Sequence, residues 1–310
     1  MGKNKVVLAP MAGITFESYR NFYSEHGAGI LYTEMISDKG LIYDSKETFE
    51  YLPTTNSKRP LGIQLFGSSP DTIADAISII EGTTDNYDFI DINMGCSVPK
   101  VYKSGSGASL LKNLDLAESI VKAAVKVSSK PITVKVRLGW STNQISTIVK
   151  RLAKAGASMI AIHPRYAVQL FRDSPHWDLV KNIQKEVNIP IVVSGDIYTA
   201  EDALKALKIT GASGVMVARG GIGNPMLCRN INNLFLGLPE EGISLQAQKE
   251  LALKFIECVC NEKGEYVGVR ILRGIVPKFF QQYPNSKKHR VLITQCITKD
   301  KLMKVINELE

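Results

Sequence analysis

The sequence predicts an α/β fold, a parallel (β/α)8 TIM barrel over residues 1–238, followed by a small helical domain over 245–310. Three observations predict it. Eight short, nearly continuous apolar runs recur through the first two-thirds of the chain, as buried parallel strands require. Segments with helical apolar spacing separate them, so strand and helix alternate throughout. The turn after the first run, Pro10-Met11-Ala12-Gly13, is not the glycine-rich phosphate turn of a doubly wound open sheet.

The runs are Val6–Ala9, Ile30–Thr33, Leu61–Leu65, Phe89–Ile92, Ile132–Val136, Met159–Ile162, Ile191–Val193 and Gly214–Val217. Each gives way to Gly, Pro or polar residues. Pro70–Ile80 opens with proline and places Ile73, Ala76, Ile77 and Ile80 on one helix face. Leu114–Val127, Gln144–Ala155, Trp177–Val187 and Thr199–Ile209 repeat the theme. Asp202 falls in the first turn of the last of these, where the helix dipole favours an acid. The glycines in 154–157 and 209–212 read as helix stops, each leading into a strand.

Bulk properties narrow the function classes. Hydrophobic residues are 45% and charged residues 22% of the chain, an ordinary globular balance. No apolar run reaches the roughly 18 residues that cross a bilayer, and the start has no long apolar stretch of the secretory kind. The expectation is a cytoplasmic, monomeric protein with no membrane partner. The five cysteines form neither paired zinc-like spacing nor a disulfide framework, so no metal is expected. The formal net charge of +8 is concentrated between Lys263 and Lys304, where ten basic residues meet only Glu265 and Asp300. A surface of that kind suits a polyanion.

In a (β/α)8 barrel the active site sits at the C-terminal ends of the strands. Those ends carry Pro10-Met11, Glu34, Gln64, Asn93, Lys135, His163, Ser194-Gly195-Asp196 and Arg219. Lys135 stands out, flanked by Val134 and Val136 in a strand that should be buried. Its ammonium needs a carboxylate or a ligand, and the neighbouring polar strand ends favour the ligand. Ser194-Gly195-Asp196 and Ala218-Arg219-Gly220-Gly221 follow the seventh and eighth strands, the usual phosphate site of this fold. FMN fits that mouth better than a small sugar phosphate, because polar residues extend around the barrel.

Three stretches then resemble a known family: Ala9-Pro10-Met11-Ala12-Gly13, Asp91-Ile92-Asn93-Met94-Gly95-Cys96, and Ser104-Gly105-Ser106-Gly107-Ala108-Ser109-Leu110-Leu111. They are similar to the dihydrouridine synthases, FMN enzymes that reduce uridine in RNA, chiefly tRNA, with NADPH as reductant. The resemblance runs over essentially the whole chain. It implies that Pro10, Met11 and Ala12 surround the flavin ring, that Gln64 and Lys135 hydrogen-bond it, and that His163 lies beside flavin or substrate. It implies that Ser194, Gly195 and Asp196, with Ala218, Arg219 and Gly220, hold ribityl and phosphate. Cys96 matches the family's catalytic cysteine and Asn93 a position that fixes the substrate. Arg165 matches a substrate-side arginine, and the basic helical region, with Arg270 and Arg273, would grip RNA.

Saturating the C5–C6 bond of uracil needs a hydride at C6 and a proton at C5. A reduced flavin supplies the hydride from N5. A thiol with the ordinary pKa of about 8.5 is mostly protonated at neutral pH and serves as the acid on the opposite face. Buried in a helix, the target uridine must leave the stack to be reached, and Tyr166, Phe171 and Trp177 are candidates for stacking against it.

Two positions depart from the family pattern. Ser97 stands where proline is common, and Ala167 replaces the second arginine after His163. Three readings stay open beside the leading one: reduction of a free small molecule, the same chemistry on ribosomal RNA, and an RNA-binding protein whose barrel is only a scaffold.

Overall fold

A computed structural model describes residues 5–310. Eight parallel strands form one sheet: β1 (Val6–Leu8), β2 (Leu31–Ser37), β3 (Leu61–Phe66), β4 (Phe89–Met94), β5 (Ile132–Arg137), β6 (Met159–His163), β7 (Ile191–Val193) and β8 (Gly214–Val217). Their order is β1-β8-β7-β6-β5-β4-β3-β2. The two ends meet where Leu8 N donates to Ile30 O at 2.8 Å and Val7 pairs with Ile30, which closes the ring into a TIM barrel.

Strand alternation sorts the side chains. Ile90, Ile92, Val134, Val136, Ile160 and Ile162 point outward into the helices and join the main hydrophobic core. Val7, Tyr32, Phe89, Met159, Val192 and Met216 turn inward and fill the barrel floor. Gly62 makes that filling possible, because a Cβ there would lie 2.1 Å from the Phe89 ring. Above the floor the inward positions become polar. On β5 they are Thr133, Lys135 and Arg137, and on β4 they are Asp91 and Asn93.

The helices Pro70–Thr83, Leu114–Val127, Ile145–Lys154 and Ala200–Thr210 follow the expected segments. Thr199 caps the last of these, its side chain accepting from Asp202 N while Asp202 accepts from Thr199 N. The helix expected over Trp177–Val187 is replaced by two 3-10 turns, Trp177–Val180 and Ile183–Glu186. Lys181 adopts an extended ψ of 128° and Asn182 the left-handed region at φ 57°, so the α-helical ladder cannot run through. β2 also extends past Thr33 to Ser37, with a register shift between Tyr32 and Met35. Glu34 therefore lies within the strand, not at its end.

From Leu245 the chain is helical: Leu245–Lys263, Glu265–Phe279, Ser286–Thr294 and Lys299–Asn307. The first of these packs on the barrel helix Glu17–Glu25, with Tyr19 and Phe22 against Phe255. Gln248 Nε2 donates to Gly223 O and Phe279 O, tying barrel to helices. One continuous core joins both parts. No described helix is long and apolar enough to cross a membrane.

Candidate active site

A cavity of about 520 Å³ opens at the C-terminal ends of the strands, within the range of small-molecule sites. All twelve residues expected around a flavin line it, from Pro10, Met11 and Ala12 through Gln64, Lys135 and His163 to Ser194–Asp196 and Ala218–Gly220. Cys96, Asn93 and Arg165 line it as well. Arg270 and Arg273 are not among its walls. They sit on the helix Glu265–Phe279, where Arg270 is exposed and donates to Tyr266 Oη at 2.9 Å.

Lys135 is the decisive side chain. It faces Asn93 on β4 and Ala161 on β6, and it makes no hydrogen bond or ion pair to any described residue. Burial, then the Arg137 charge, lowers its pKa to about 8, against the opposing pull of Asp91 and Cys96. A carboxylate partner, the ordinary structural role for a strand lysine, is absent among the described residues. The ammonium is left for a ligand.

Arg137, one strand step nearer the mouth, was not singled out from the sequence. It is 2% exposed, with Nε donating to Gly95 O at 2.8 Å and Nη1 to Leu170 O at 2.6 Å. It thereby ties the Cys96 loop to the segment after β6. The two-residue alternation of Thr133, Lys135 and Arg137 was the signal for it.

His163 is held neutral. Burial lowers its pKa well below the usual value, and the charges of Lys135, Arg137, Arg165 and Arg219 push the same way. Arg165 Nη1 donates to its Nε2 at 3.1 Å, so the ring proton sits on Nδ1. Arg165 itself is 1% exposed and pairs with Asp196 through Nη2 at 2.6 Å and Nη1 at 3.1 Å. Its remaining bonds go to the carbonyls of Arg172 and Asp173. Arg219 is the more open cation, at 43% exposed, with one bond to Asp196 at 3.0 Å. Phe171 lies between Arg219 and Arg137, its ring 4.9 Å and 5.4 Å from their guanidinium carbons. Of the three aromatic residues considered for stacking, Phe171 lines the cavity and is 55% exposed. Trp177 instead donates to Ser194 O.

The side of the cavity where a phosphate is expected follows from topology. Ser194–Asp196 and Ala218–Gly220 leave β7 and β8 after Val193 and Val217 and line the cavity, with Ser194 N still donating to Ile162 O of β6 at 2.9 Å. Four cations against one carboxylate, Asp196, make the mouth electropositive.

Cys96 is half-buried on the loop after β4. Its N–H donates to Asn93 Oδ1 at 2.9 Å, and its carbonyl accepts from Ala108 N at 2.9 Å. Gly107 sits under it at φ 61°, where a Cβ would fall 2.7 Å from Cys96 O and 3.3 Å from Cys96 Cβ. The glycine-rich stretch is thus the support of the cysteine. A side chain forced into that left-handed conformation costs on the order of 1–3 kcal/mol. Gly107→Ala is expected to lower unfolding stability by about that amount in a urea titration and to alter the alkylation rate of Cys96. The four other cysteines are buried or lie in helices away from this cavity. Among the described residues no group of three or more His, Cys, Asp or Glu side chains is arranged to hold a metal ion.

A second cavity of about 550 Å³ adjoins the first, sharing Ala12 and Met35 with it. Glu34 lies on its wall, accepting a hydrogen bond from Gly13 N, and burial raises its pKa. Lys263, at the turn between the first two C-terminal helices, lies 5.7 Å from the Phe16 ring. The basic helices therefore begin beside the barrel mouth.

Comparison with known proteins agrees with this geometry. The family model described as "Dihydrouridine synthase (Dus)" matches residues 7–309. A probable tRNA-dihydrouridine synthase of Aquifex aeolicus is 33% identical over 99% of this chain and 96% of that relative. A Rickettsia conorii protein of the same description is 32% identical over 93% of this chain and 87% of its own length. The tRNA-dihydrouridine synthase B of Vibrio vulnificus is 31% identical, covering 93% and 90% respectively. Among solved structures, DHODH from Eimeria tenella in complex with ferulenol superposes with a TM-score of 0.53 at 16% identity, over 75% of this chain and 80% of that one. This last likeness shows the fold alone. The match over residues 7–309, together with relatives above 30% identity across nearly their full lengths, shows that the chain belongs to the dihydrouridine synthase family.

Proposed function

We propose that this protein reduces uridine to 5,6-dihydrouridine in tRNA, with FMN in the barrel mouth and NADPH as its reductant. The observation that carries the reading is Lys135, a sunken ammonium with no protein partner that faces a cavity of cofactor size. Lys135 would stabilise the negative charge of a reduced flavin held there. The relatives' names supply the substrate, tRNA uridine.

A flavin bound there supplies the hydride that C6 of the uracil receives. The chain's own residues do the rest. Gln64 and Lys135 offer donors to the ring, and neutral His163 presents Nδ1–H beside it. Ser194, Gly195, Ala218 and Gly220 offer backbone and hydroxyl groups to ribityl and phosphate, with Arg219 as the charged donor. Asp196 and Arg165 hold this arrangement through their ion pair. Arg165 acts on the substrate side through His163 and Asp196, because its own donors already meet protein acceptors. Cys96 gives the proton to C5, and Asn93 fixes the loop that carries it. Phe171, exposed between two guanidinium groups, offers a face for stacking the extruded base or its neighbour.

The cofactor is tested directly. The purified protein should be yellow, release FMN on denaturation as identified by mass, and bleach with NADPH. Colourless protein that takes up no FMN would overturn the reading.

The C-terminal helices serve RNA binding in this proposal. Arg270, Arg273, Lys278, Lys287, Lys288 and Arg290 make no ion pair among the described residues. The double variant Arg270→Glu/Arg273→Glu is expected to weaken tRNA binding and to reduce the slope of log affinity against log salt by about two. Flavin bleaching by NADPH should stay unchanged. Unaltered tRNA affinity and salt slope would remove these helices from the interface.

A further inference from the structure

Beneath the cavity lies a carboxylate that does not touch it. Asp91 is fully buried on β4 and accepts from Gln64 Nε2 at 2.7 Å and Thr133 Oγ1 at 2.6 Å. Gln64 Oε1 accepts from Asn93 Nδ2 at 2.8 Å. Asn93 Oδ1 in turn accepts from Gly95 N at 3.1 Å and Cys96 N at 2.9 Å. Three strands and the catalytic loop are joined in one line, running from Asp91 through Gln64 and Asn93 to the backbone of Cys96.

We infer that Asp91 is the positioning residue of the Cys96 acid, anchoring at the barrel floor the line of hydrogen bonds that reaches the catalytic loop. The reason is chemical. An ionised carboxylate only accepts, so Gln64 must turn its NH2 toward Asp91 and its oxygen toward Asn93. Asn93 must then give its NH2 to Gln64, which leaves its oxygen for the two loop N–H groups. The two loop N–H groups can only donate, so they require the same sense from the other end, and the line is held between a donor end at the loop and the Asp91 acceptor at the floor. Protonated, Asp91 accepts less strongly, and the floor end of the line loosens.

Every group around Asp91 bears on its charge. Gln64 approaches from β3, Thr133 and Lys135 from β5, and Tyr32 from β2. Burial raises the Asp91 pKa to about 6, against the donors Thr133 and Gln64 and the Lys135 charge. As pH falls through that value the acceptor weakens, so the line should loosen on the acid side.

The inference rests on the proposed uridine reduction for its catalytic meaning, but its test does not need turnover. The flavin-loaded protein is treated with iodoacetamide, and alkylation of the Cys96 peptide is followed by mass spectrometry. Asp91→Asn and Asn93→Ala are each expected to change that rate at least threefold, and the double variant should match Asn93→Ala alone. In turnover, Asp91→Asn should lower kcat about tenfold or more, with KM for tRNA within twofold. The acid limb of the wild-type pH profile near 6 should vanish in Asp91→Asn. It should move to higher pH in Thr133→Val, which keeps the carboxylate but removes a donor that lowers its pKa. That second variant serves if Asp91→Asn fails to fold. Additive alkylation effects, or acid limbs that superimpose in all variants, would overturn the inference. Absent turnover with the alkylation coupling intact would instead overturn the uridine reading.

Discussion

Cys96→Ala is expected to take up FMN and be bleached by NADPH like the parent protein, yet to form dihydrouridine at least ~100-fold more slowly. The separation follows from the geometry. Cys96 lies on the loop after β4, held by Asn93 from below and by Ala108 and Gly107 from the side, while the residues proposed to face the flavin come from other strand ends. Removing the thiol deletes the proposed proton donor and leaves Gln64, Lys135 and the β7 and β8 loops unchanged. Stopped-flow absorbance reads the flavin, and nucleoside mass spectrometry reads the product. Slow bleaching in the variant would mean that Cys96 supports the cofactor and is not its partner in protonation.

Lys135→Met should have the opposite signature, with cofactor binding and flavin reduction failing first. A hydrogen bond from a charged donor contributes about 1.5–3 kcal/mol, so FMN affinity should fall roughly ten- to a hundredfold by fluorescence titration. The sign of the pH effect is fixed by the pKa of about 8. Below that value Lys135 is cationic and attracts the ring, and above it the charge is lost. Wild-type FMN affinity should therefore weaken as pH rises through about 8, and the variant should show no such step. An unchanged affinity, or a step near pH 8 retained in the variant, would remove Lys135 from the cofactor site.

The barrel was legible because buried parallel strands are written as nearly unbroken apolar runs, and all eight appear within a few residues of their predicted places. The cavity was legible because a barrel gathers its strand ends at one rim. Pro10, Gln64, Lys135, His163 and Arg219, scattered over more than 200 residues, become neighbours there. What escaped depends on contacts between strands. Asp91 sits in an apolar run, and only the register Gln64↔Asp91 and Asp91↔Thr133 reveals what it holds. Arg165 matched a substrate-side pattern, whereas its partner Asp196 lies 31 residues on and becomes adjacent only through the β6–β7 crossover. The Trp177–Val187 segment has apolar spacing of the helical kind, and Asn182 in the left-handed region breaks it.

The central claim is that the cavity above Lys135 and below Cys96 reduces a uracil ring in RNA. Its most direct measurement is mass mapping of unmodified tRNA after incubation with the FMN-loaded protein and NADPH. The account predicts a gain of two hydrogens at particular uridines, absent when Cys96→Ala protein is used. NADPH consumption with no mass gain at any uridine of the tRNA would contradict it.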